Sequence, residues 1–363
     1  MNISSYYNAL KFSLNDQGWN STSRLVAKMA RQALFGKAPF KSRAYPGAII
    51  VGSMNFCNLQ CQHCYLRAQP TAVKRMMDIN TFARMTARIT PLIEKAGIFN
   101  FATVEALFHP KLFEMMDMVR SINPALCCVI FTNGMLLDEA RIDAIIHHRL
   151  RRITISLDGC NKSTVEAFKT GIDFDKVIRN IRLLRSRASD NIRITTIFVA
   201  HRKNIKELPD YVDFCAELGV DAIIVNGLIA YQPEAEIDCL YSWEGRPDID
   251  AIILQAEHKA DRIGICLRHL GTKLNPVGCG SSDVMYIDLD GNVTTCAMLA
   301  QPTAWALAGK KGTSRQTLWG NIFKQNPYDI WTSASFVEFR KQLYENHLPT
   351  ACSLCAAGHK VIC

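Results

Sequence analysis

The sequence contains no long hydrophobic run and does not open with the pattern of an export signal. None of its apolar stretches approaches the roughly 18 residues that a membrane-spanning helix requires. Disulfide-rich secreted proteins are short, whereas this chain has 363 residues, so its 14 cysteines do not indicate a disulfide framework. We therefore expect a cytoplasmic protein that keeps its thiols reduced and does not span a membrane.

The sequence also lacks a strong excess of charge. Its 42 Lys and Arg against 33 Asp and Glu give a net charge of +9, which is spread along the chain and gives no reason to expect a nucleic-acid partner. The densest basic patch runs from Arg24 to Arg43, where a helix between Thr22 and Gly36 would be amphipathic. Such a helix can lie on an anionic membrane, but we favour the alternative that it covers the neighbouring domain.

Three cysteines follow the apolar run at residues 47–52. Cys57, Cys61 and Cys64 lie at offsets of four and three in the stretch CNLQCQHCY. A complete set of protein ligands for a [4Fe–4S] cluster is four thiolates, so three thiolates leave one iron open to a small chelating molecule. Zinc or a redox-active thiol pair is the alternative, although zinc sites usually pair their cysteines in CxxC sets. Because the three cysteines follow a strand-like run, we expect them to lie on a loop at the carboxyl end of a barrel strand.

The spacing of these three cysteines, with Tyr65 directly after them, resembles the signature of the radical S-adenosylmethionine (radical SAM) superfamily. The resemblance implies that the open iron binds SAM and cleaves it reductively to a 5′-deoxyadenosyl radical, which abstracts hydrogen from a substrate. It also implies an electron donor such as flavodoxin or ferredoxin.

From residue 47 onward, apolar strand-like runs alternate with amphipathic helices, as in a parallel sheet covered by helices. The predicted strands are Ala48–Met54, Phe99–Val104, Cys127–Thr132, Arg152–Leu157, Arg193–Val199 and Ala222–Asn226. Six such units resemble the partial (β/α)6, TIM-like barrel of the radical SAM core. We expect an α/β chain with a helical lead-in (1–46), this barrel (47–228), a helical connection (229–278) and a small α+β domain (279–363).

Further motifs near the predicted strand ends resemble the parts of the family that hold SAM. The resemblance assigns cofactor binding to Glu105, Thr132, Asn133, Ser156 and Asp158. Two departures accompany it: Thr103-Val104 replaces the usual Gly-Gly before the glutamate, and Phe168-Lys-Thr-Gly171 replaces an Arg-Gly motif. For Asp158 a turn-forming role is an equal alternative. We assign Asn204 a helix-capping role and name no catalytic residue.

A second set of cysteines lies in the last quarter of the sequence. Asp290-Gly291-Asn292 predicts a β-hairpin that carries Cys279 and Cys296, and a later CxxC turn supplies Cys352 and Cys355. Four thiolates would complete a [4Fe–4S] cluster or, by count alone, a zinc site. The pattern resembles the auxiliary-cluster region called SPASM, or its shorter twitch form. Only Cys363 follows the CxxC, so we favour a single auxiliary cluster and the twitch form.

The two cysteine sets together predict an enzyme with a substrate held between two clusters. The lead-in is too short for the leader-binding domain of many peptide-modifying relatives, which favours a small natural-product precursor such as a sugar, cyclitol or nucleoside. Oxidation, epimerisation and decarboxylation all stay open as outcomes, with the auxiliary cluster as electron acceptor. A peptide maturase and a degenerate, non-catalytic iron–sulfur protein are the two alternatives.

Overall fold

The computed structural model describes residues 39–68, 73–101, 104–188 and 191–362. The helix expected between Thr22 and Gly36, Thr103 of the altered second-strand motif, and Cys363 lie outside these residues. Within the described part of the chain, no helix is both long enough and apolar enough to cross a membrane.

Six parallel strands form the centre of the fold and lie side by side in chain order, as the sequence predicted. They are β1 Ala48–Val51, β2 Ile98–Asn100, β3 Cys127–Thr132, β4 Arg152–Ser156, β5 Arg193–Ala200 and β6 Ala222–Gly227. Strands buried on both faces carry continuous hydrophobic runs, and Ile153, Thr154 and Ile155 of β4 are consecutive buried residues. β1 is shorter than predicted because the Ser53 amide turns back to the Val51 carbonyl, at 3.0 Å.

Helices cover this sheet and connect its strands. They are α1 Ile79–Ile93, α2 Leu112–Ile122, α3 Glu139–His147, α4 Lys162–Phe168, α5 Phe174–Ala188, α6 Leu208–Glu217 and α7 Pro247–Ile263. Asp78 caps α1, since its carboxylate accepts the amides of Asn80 and Thr81 at 3.0 and 2.9 Å. Because the helices run back from the carboxyl ends of the strands to their amino ends, the loops at the two ends of the sheet can serve different purposes.

The C-terminal part of the chain extends both edges of the same sheet. β7 (Cys266–Arg268) pairs with β6 in parallel, and β8 (Val284–Ile287) pairs in parallel with β1. β9 (Asn292–Thr294) and β12 (Gly320–Asn321) follow as antiparallel strands beyond β8. In the described residues the outer strands β7 and β12 do not pair with each other, so the sheet is an incomplete barrel. A separate hairpin, β10 (Thr303–Leu307) and β11 (Lys310–Ser314), and helices α8 (Pro327–Thr332) and α9 (Ala334–Tyr344) complete the fold.

The hairpin predicted at Asp290-Gly291-Asn292 is confirmed as the turn between β8 and β9. Gly291 has a φ of 82°, which favours glycine, and a Cβ atom there would lie 2.5 Å from the Phe323 ring. The turn therefore depends on glycine both for its backbone conformation and for its contact with the following segment.

A buried arginine joins this C-terminal part to the segment before β1. The guanidinium of Arg340 lies 3.5 Å from the centre of the Trp331 ring and donates to the Trp331 carbonyl at 2.8 Å. The indole of Trp331 in turn donates to the carbonyl of Arg43 at 2.8 Å. These contacts fix α8 and α9 against the entrance to β1.

Candidate active site

The loop that carries Cys57, Cys61 and Cys64 follows β1 and is anchored to the segment around the end of α4. The amide of Gln60 donates to the Thr170 carbonyl and that of Gln62 to the Phe168 carbonyl, both at 3.0 Å. The loop therefore lies at the carboxyl end of the parallel sheet, as the sequence predicted. Backbone bonds to a second segment restrict the positions that the three thiols can take.

The three thiols lie close together, since Cys64 raises the pKa of both Cys57 and Cys61, and Cys57 raises that of Cys61. Burial raises the pKa of all three, and that of Cys61 to about 12. Backbone amides point at sulfur, as where the Leu59 amide donates to the Cys57 sulfur at 3.4 Å. An all-thiol donor set is what iron–sulfur clusters use, and binding a cluster displaces the thiol protons. The residues present therefore fit a cluster with three protein ligands.

A buried glutamate connects the ends of β2 and β3 to this loop. The Glu105 carboxylate accepts the Thr132 hydroxyl at 2.7 Å and the Asn133 amide at 2.6 Å. The Asn133 side chain donates to Asn58 at 2.9 Å and lies 3.7 Å from the Cys57 sulfur. The structure thus brings three of the sequence-predicted residues together beside the first thiol set, and Glu105 organises the other two.

Ser156 and Asp158, at the end of β4, meet at a buried lysine that the sequence interpretation left without a function. The Lys169 ammonium donates to the Ser156 hydroxyl at 2.6 Å and lies 3.2 Å from the Asp158 carboxylate. Its positive charge acts to lower the pKa of Cys61, Cys64 and Glu105. Burial has the larger, opposite effect at each group, so all three pKa values are raised. One feature of the sequence could have indicated the importance of Lys169: it lies in the segment that replaces the family's Arg-Gly motif.

Asp158 is not a surface turn former. Its side chain is 1% exposed, and its carboxylate accepts the Val199 amide at 2.9 Å in addition to the contact with Lys169. The capping role assigned to Asn204 is wrong, because its side chain makes no cap hydrogen bond to the helical turn that follows it. Instead its amide donates to the carbonyls of Asp158 and Val199, at 2.8 and 2.9 Å. Both side chains join the ends of β4 and β5.

The four cysteines of the second set also come together. All four lie within electrostatic range of one another, namely Cys279, Cys296, Cys352 and Cys355. Cys355 and Cys279, for example, raise the pKa of Cys296. Burial raises the pKa of Cys296 to about 12 and that of Cys355 to about 11. Among the described residues no group of His, Cys, Asp or Glu converges tightly enough for a single metal ion. Four thiols that lie within electrostatic range of one another match the full protein ligand set of a [4Fe–4S] cluster.

One tyrosine lies between the two thiol sets. The Tyr231 phenol is within electrostatic range of Cys64 from the first set and of Cys296 and Cys355 from the second. Its ring lies 6.1 Å from that of Tyr65 and 5.1 Å from that of Trp305 on β10. Protein surrounds the phenol on nearly every side, which raises its pKa well above the usual value, yet part of its surface stays accessible. The phenol is therefore close to thiols of both sets and is not completely enclosed.

Sequence reasoning missed Tyr231, which lies in a segment without a motif. Tyr65 was noticed only as the aromatic residue that ends the cysteine signature, and Trp305 was not singled out. The two rings that contact Tyr231 come from distant parts of the chain, since Tyr65 follows the first thiol set and Trp305 belongs to the C-terminal hairpin. Pairings of this kind depend on the three-dimensional fold.

Two family models match the chain. Residues 51–215 match the radical SAM superfamily, and residues 279–356 match SPASM, an iron–sulfur cluster-binding domain. The first contains Cys57, Cys61 and Cys64, and the second contains the four cysteines of the second set.

Curated relatives match most of the chain at low identity. A tungsten-containing aldehyde ferredoxin oxidoreductase cofactor-modifying protein of Pyrococcus furiosus is 24% identical over 307 residues, which is 83% of this chain and 84% of the relative. An AdoMet-dependent heme synthase of Methanosarcina barkeri is also 24% identical, over 85% of this chain and 87% of its own. Both relatives carry the names of enzymes or cofactor-modifying proteins.

Solved structures support the fold. SuiB of Streptococcus suis bound to S-adenosylmethionine has a TM-score of 0.62 at 12% identity, covering 95% of this chain and 77% of SuiB. The protein anSMEcpe with bound AdoMet has a TM-score of 0.62 at 17% identity, covering 85% and 88%. Together, the thiol sites, the incomplete parallel barrel and the two family matches identify the chain as a member of the radical SAM superfamily, an enzyme with a C-terminal SPASM domain whose cofactors are [4Fe–4S] clusters and SAM.

Proposed function

We propose that this enzyme binds SAM at the loop of Cys57, Cys61 and Cys64 and uses it to oxidise or rearrange a small molecule held beside Tyr231. The observation that carries the proposal is the position of the Tyr231 phenol, within electrostatic range of thiols from both sets. When bound, the three-thiolate cluster and SAM supply a carbon radical able to take hydrogen from unactivated C–H bonds. Such chemistry needs a closed site that excludes competing reactions.

The residues around the first thiol set would receive the charged end of SAM. The buried ammonium of Lys169 is held by Ser156 and Asp158 and affects the pKa of Cys61 and Cys64, so it can attract the SAM carboxylate. Glu105, Thr132 and Asn133 would then shape the side of the site next to Cys57. The binding roles of all these residues are part of the proposal.

Tyr231 would contact the substrate on the side towards the second thiol set. Burial raises the pKa of its phenol, so the hydroxyl keeps its proton near neutral pH and can donate a hydrogen bond. No hydrogen bond joins this hydroxyl to another described residue, which leaves the donor available. Cys279, Cys296, Cys352 and Cys355 would hold the auxiliary cluster, the proposed acceptor of the electron that the substrate loses.

A small substrate is favoured over a peptide by the extent of the sequence matches. Two relatives that match over more than four-fifths of this chain are named as a cofactor-modifying protein and a heme synthase. PqqA peptide cyclase of Gluconobacter oxydans matches over 49% of this chain only. A sugar, cyclitol, nucleoside or cofactor precursor is therefore our proposed substrate class, and a peptide maturase is the alternative. A single auxiliary cluster, as in the twitch form, is also part of the proposal.

The test is SAM cleavage by the anaerobically reconstituted and reduced protein. We expect 5′-deoxyadenosine from the wild type and none from the variant C57A/C61A/C64A, which should also lose about four irons. The matched control C127A/C160A/C239A removes three half-buried cysteines outside both sets and should cleave SAM like the wild type.

Substrate candidates are then added one at a time, small molecules in one series and precursor peptides in another. A wild type that holds its iron but forms no 5′-deoxyadenosine would contradict the proposal. So would a product that appears only with a peptide, which would establish the alternative instead.

A further inference from the structure

A large cavity lies at the opposite end of the sheet from the loop of Cys57, Cys61 and Cys64. Its volume is about 1150 Å³, and it is bordered by the residues at which the strands begin. These include Ala48 of β1, Ile98 of β2, Cys127 of β3, Arg152 of β4 and Arg193 of β5. The SAM loop lies at the other end, since it follows the carboxyl end of β1, whereas Gly280, directly after Cys279 of the second set, borders the cavity.

Arginines dominate the charge of the cavity. Six line it, namely Arg43, Arg120, Arg149, Arg151, Arg152 and Arg193. Among the described residues that line it, Asp283 is the only carboxylate, and it forms an ion pair with Arg43. Six positive charges and one negative charge leave a local excess of five.

Two of these arginines stand side by side on neighbouring strands. Arg152 of β4 is in register with Arg193 of β5, and like charges directly opposite each other in a sheet are destabilising. Both residues make further interactions within the protein. The arrangement still concentrates positive charge at the centre of the cavity, where a bound anion would relieve the repulsion.

The negative ends of neighbouring helices offset only part of this positive charge. Helices α1, α2, α3 and α5 each precede one of the strands that begin at the cavity, so their negative C-terminal ends point towards it. Arg120 illustrates the effect, because it donates to the carbonyls of His148 and Arg149 just beyond α3. At about half a charge per helix, four ends offset about two charges and leave an excess of about three.

The volume of about 1150 Å³ lies just above the roughly 300–1,000 Å³ of typical small-molecule pockets, so the cavity has room for a small molecule with several charged groups.

We propose that this cavity binds a molecule with a polyphosphate group, either inorganic polyphosphate or a nucleoside triphosphate. The guanidinium group pairs with phosphate through two parallel hydrogen bonds, which makes arginine the suitable residue for this ligand. Arg149 and Arg151 are exposed and make no ion pair with another described residue, so they are available to the ligand at the rim. The site is independent of the proposed function.

The test is isothermal titration of the full-length, anaerobically reconstituted protein at about 0.15 M ionic strength. Sodium tripolyphosphate is the probe in one arm and ATP in the other. We expect saturable binding in at least one arm and about tenfold weaker binding by R149Q/R151Q. The matched control R262Q/R315Q removes two exposed arginines that do not line the cavity and should bind like the wild type.

The two arms separate the sources of the phosphate. If tripolyphosphate and ATP bind with equal affinity, the cavity recognises the polyphosphate group alone. If ATP binds at least about tenfold more tightly, the nucleoside also contributes to binding. The proposal fails if neither probe binds, if R149Q/R151Q binds like the wild type, or if the control is weakened equally. Binding to vesicles of phosphatidylserine, without binding of either probe, would also overturn it and assign the charge to a membrane surface.

Discussion

The two thiol sites are built in different ways. Cys57, Cys61 and Cys64 come from one short loop, whereas the second set comes from three segments that are distant in the sequence. The first set also lies near a buried cation, Lys169, which lowers the pKa of Cys61 and Cys64. For Cys352, in the second set, burial and the other three thiols are the causes of its raised pKa.

The difference indicates separate purposes. A local loop with an adjacent ammonium is suited to a cluster that must leave room for a charged cofactor, since its three thiols come from one short segment of the chain. Thiols from distant segments are suited to a cluster that also holds those segments together, because the ligands exist as a set only in the folded chain. The comparison predicts unequal effects when the two sites are removed.

The largest effect should come from removing the second set. In C279A/C296A/C352A/C355A we expect the loss of about four irons and a lower melting temperature, because the cluster no longer closes long stretches of chain. C57A/C61A/C64A should lose a similar amount of iron and keep a melting temperature nearer to that of the wild type. Iron analysis and anaerobic thermal unfolding measure both. Unchanged iron content in the first of these variants would refute the auxiliary site.

The second-largest effect should come from replacing Lys169, the buried cation that lies near the first thiol set. Replacing Lys169 by Met leaves the Asp158 carboxylate buried without its cation, at a cost of about 3–5 kcal/mol in the free energy of unfolding. Combined with D158N, the loss should be smaller than the sum of the two single changes. Urea unfolding under anaerobic conditions measures these values.

Lys162 supplies the control for that measurement. It pairs with Asp175 at 2.6 Å, but both side chains are about half exposed and screened by water, so K162M should lower the free energy of unfolding far less than K169M. If K169M were no more costly than K162M, the buried pair would not be a structural element of the first site.

Much of this comparison was available from the sequence. The spacing of Cys57, Cys61 and Cys64 and the alternation of strands and helices predicted the first site and the six parallel strands. The pairing of β8 with β1 was not predicted, because a parallel contact between such distant segments leaves no local pattern. The Asp290-Gly291-Asn292 turn, by contrast, carries its own local signal, and the hairpin was predicted correctly.

The residues that were missed share a physical reason. Lys169 reads as an ordinary exposed lysine until the fold places Asp158 and Ser156 around it. Tyr231 lies beside both thiol sets only because the strand ends and the C-terminal hairpin meet there. Asn204 has the residue type and position of a helix cap, but hydrogen bonds to two neighbouring strand ends prevail.

The smallest effect concerns Tyr231, at the boundary between the two sites. Y231F removes one hydroxyl that makes no hydrogen bond with another described residue, so stability should not change. The ratio of product to 5′-deoxyadenosine should fall about fivefold to tenfold, the value of one hydrogen bond of about 1 kcal/mol or slightly more. The control Y328F alters an exposed tyrosine and should leave the ratio unchanged. An unaltered ratio in Y231F would show that the phenol does not contact the substrate.

The most direct test of the central claim is the electron paramagnetic resonance spectrum of the reduced, anaerobic protein before and after SAM is added. Our account predicts a [4Fe–4S] signal that changes when SAM binds, that disappears in C57A/C61A/C64A, and that stays SAM-sensitive in C127A/C160A/C239A. A cluster signal that does not respond to SAM, or that survives the loss of Cys57, Cys61 and Cys64, would contradict it.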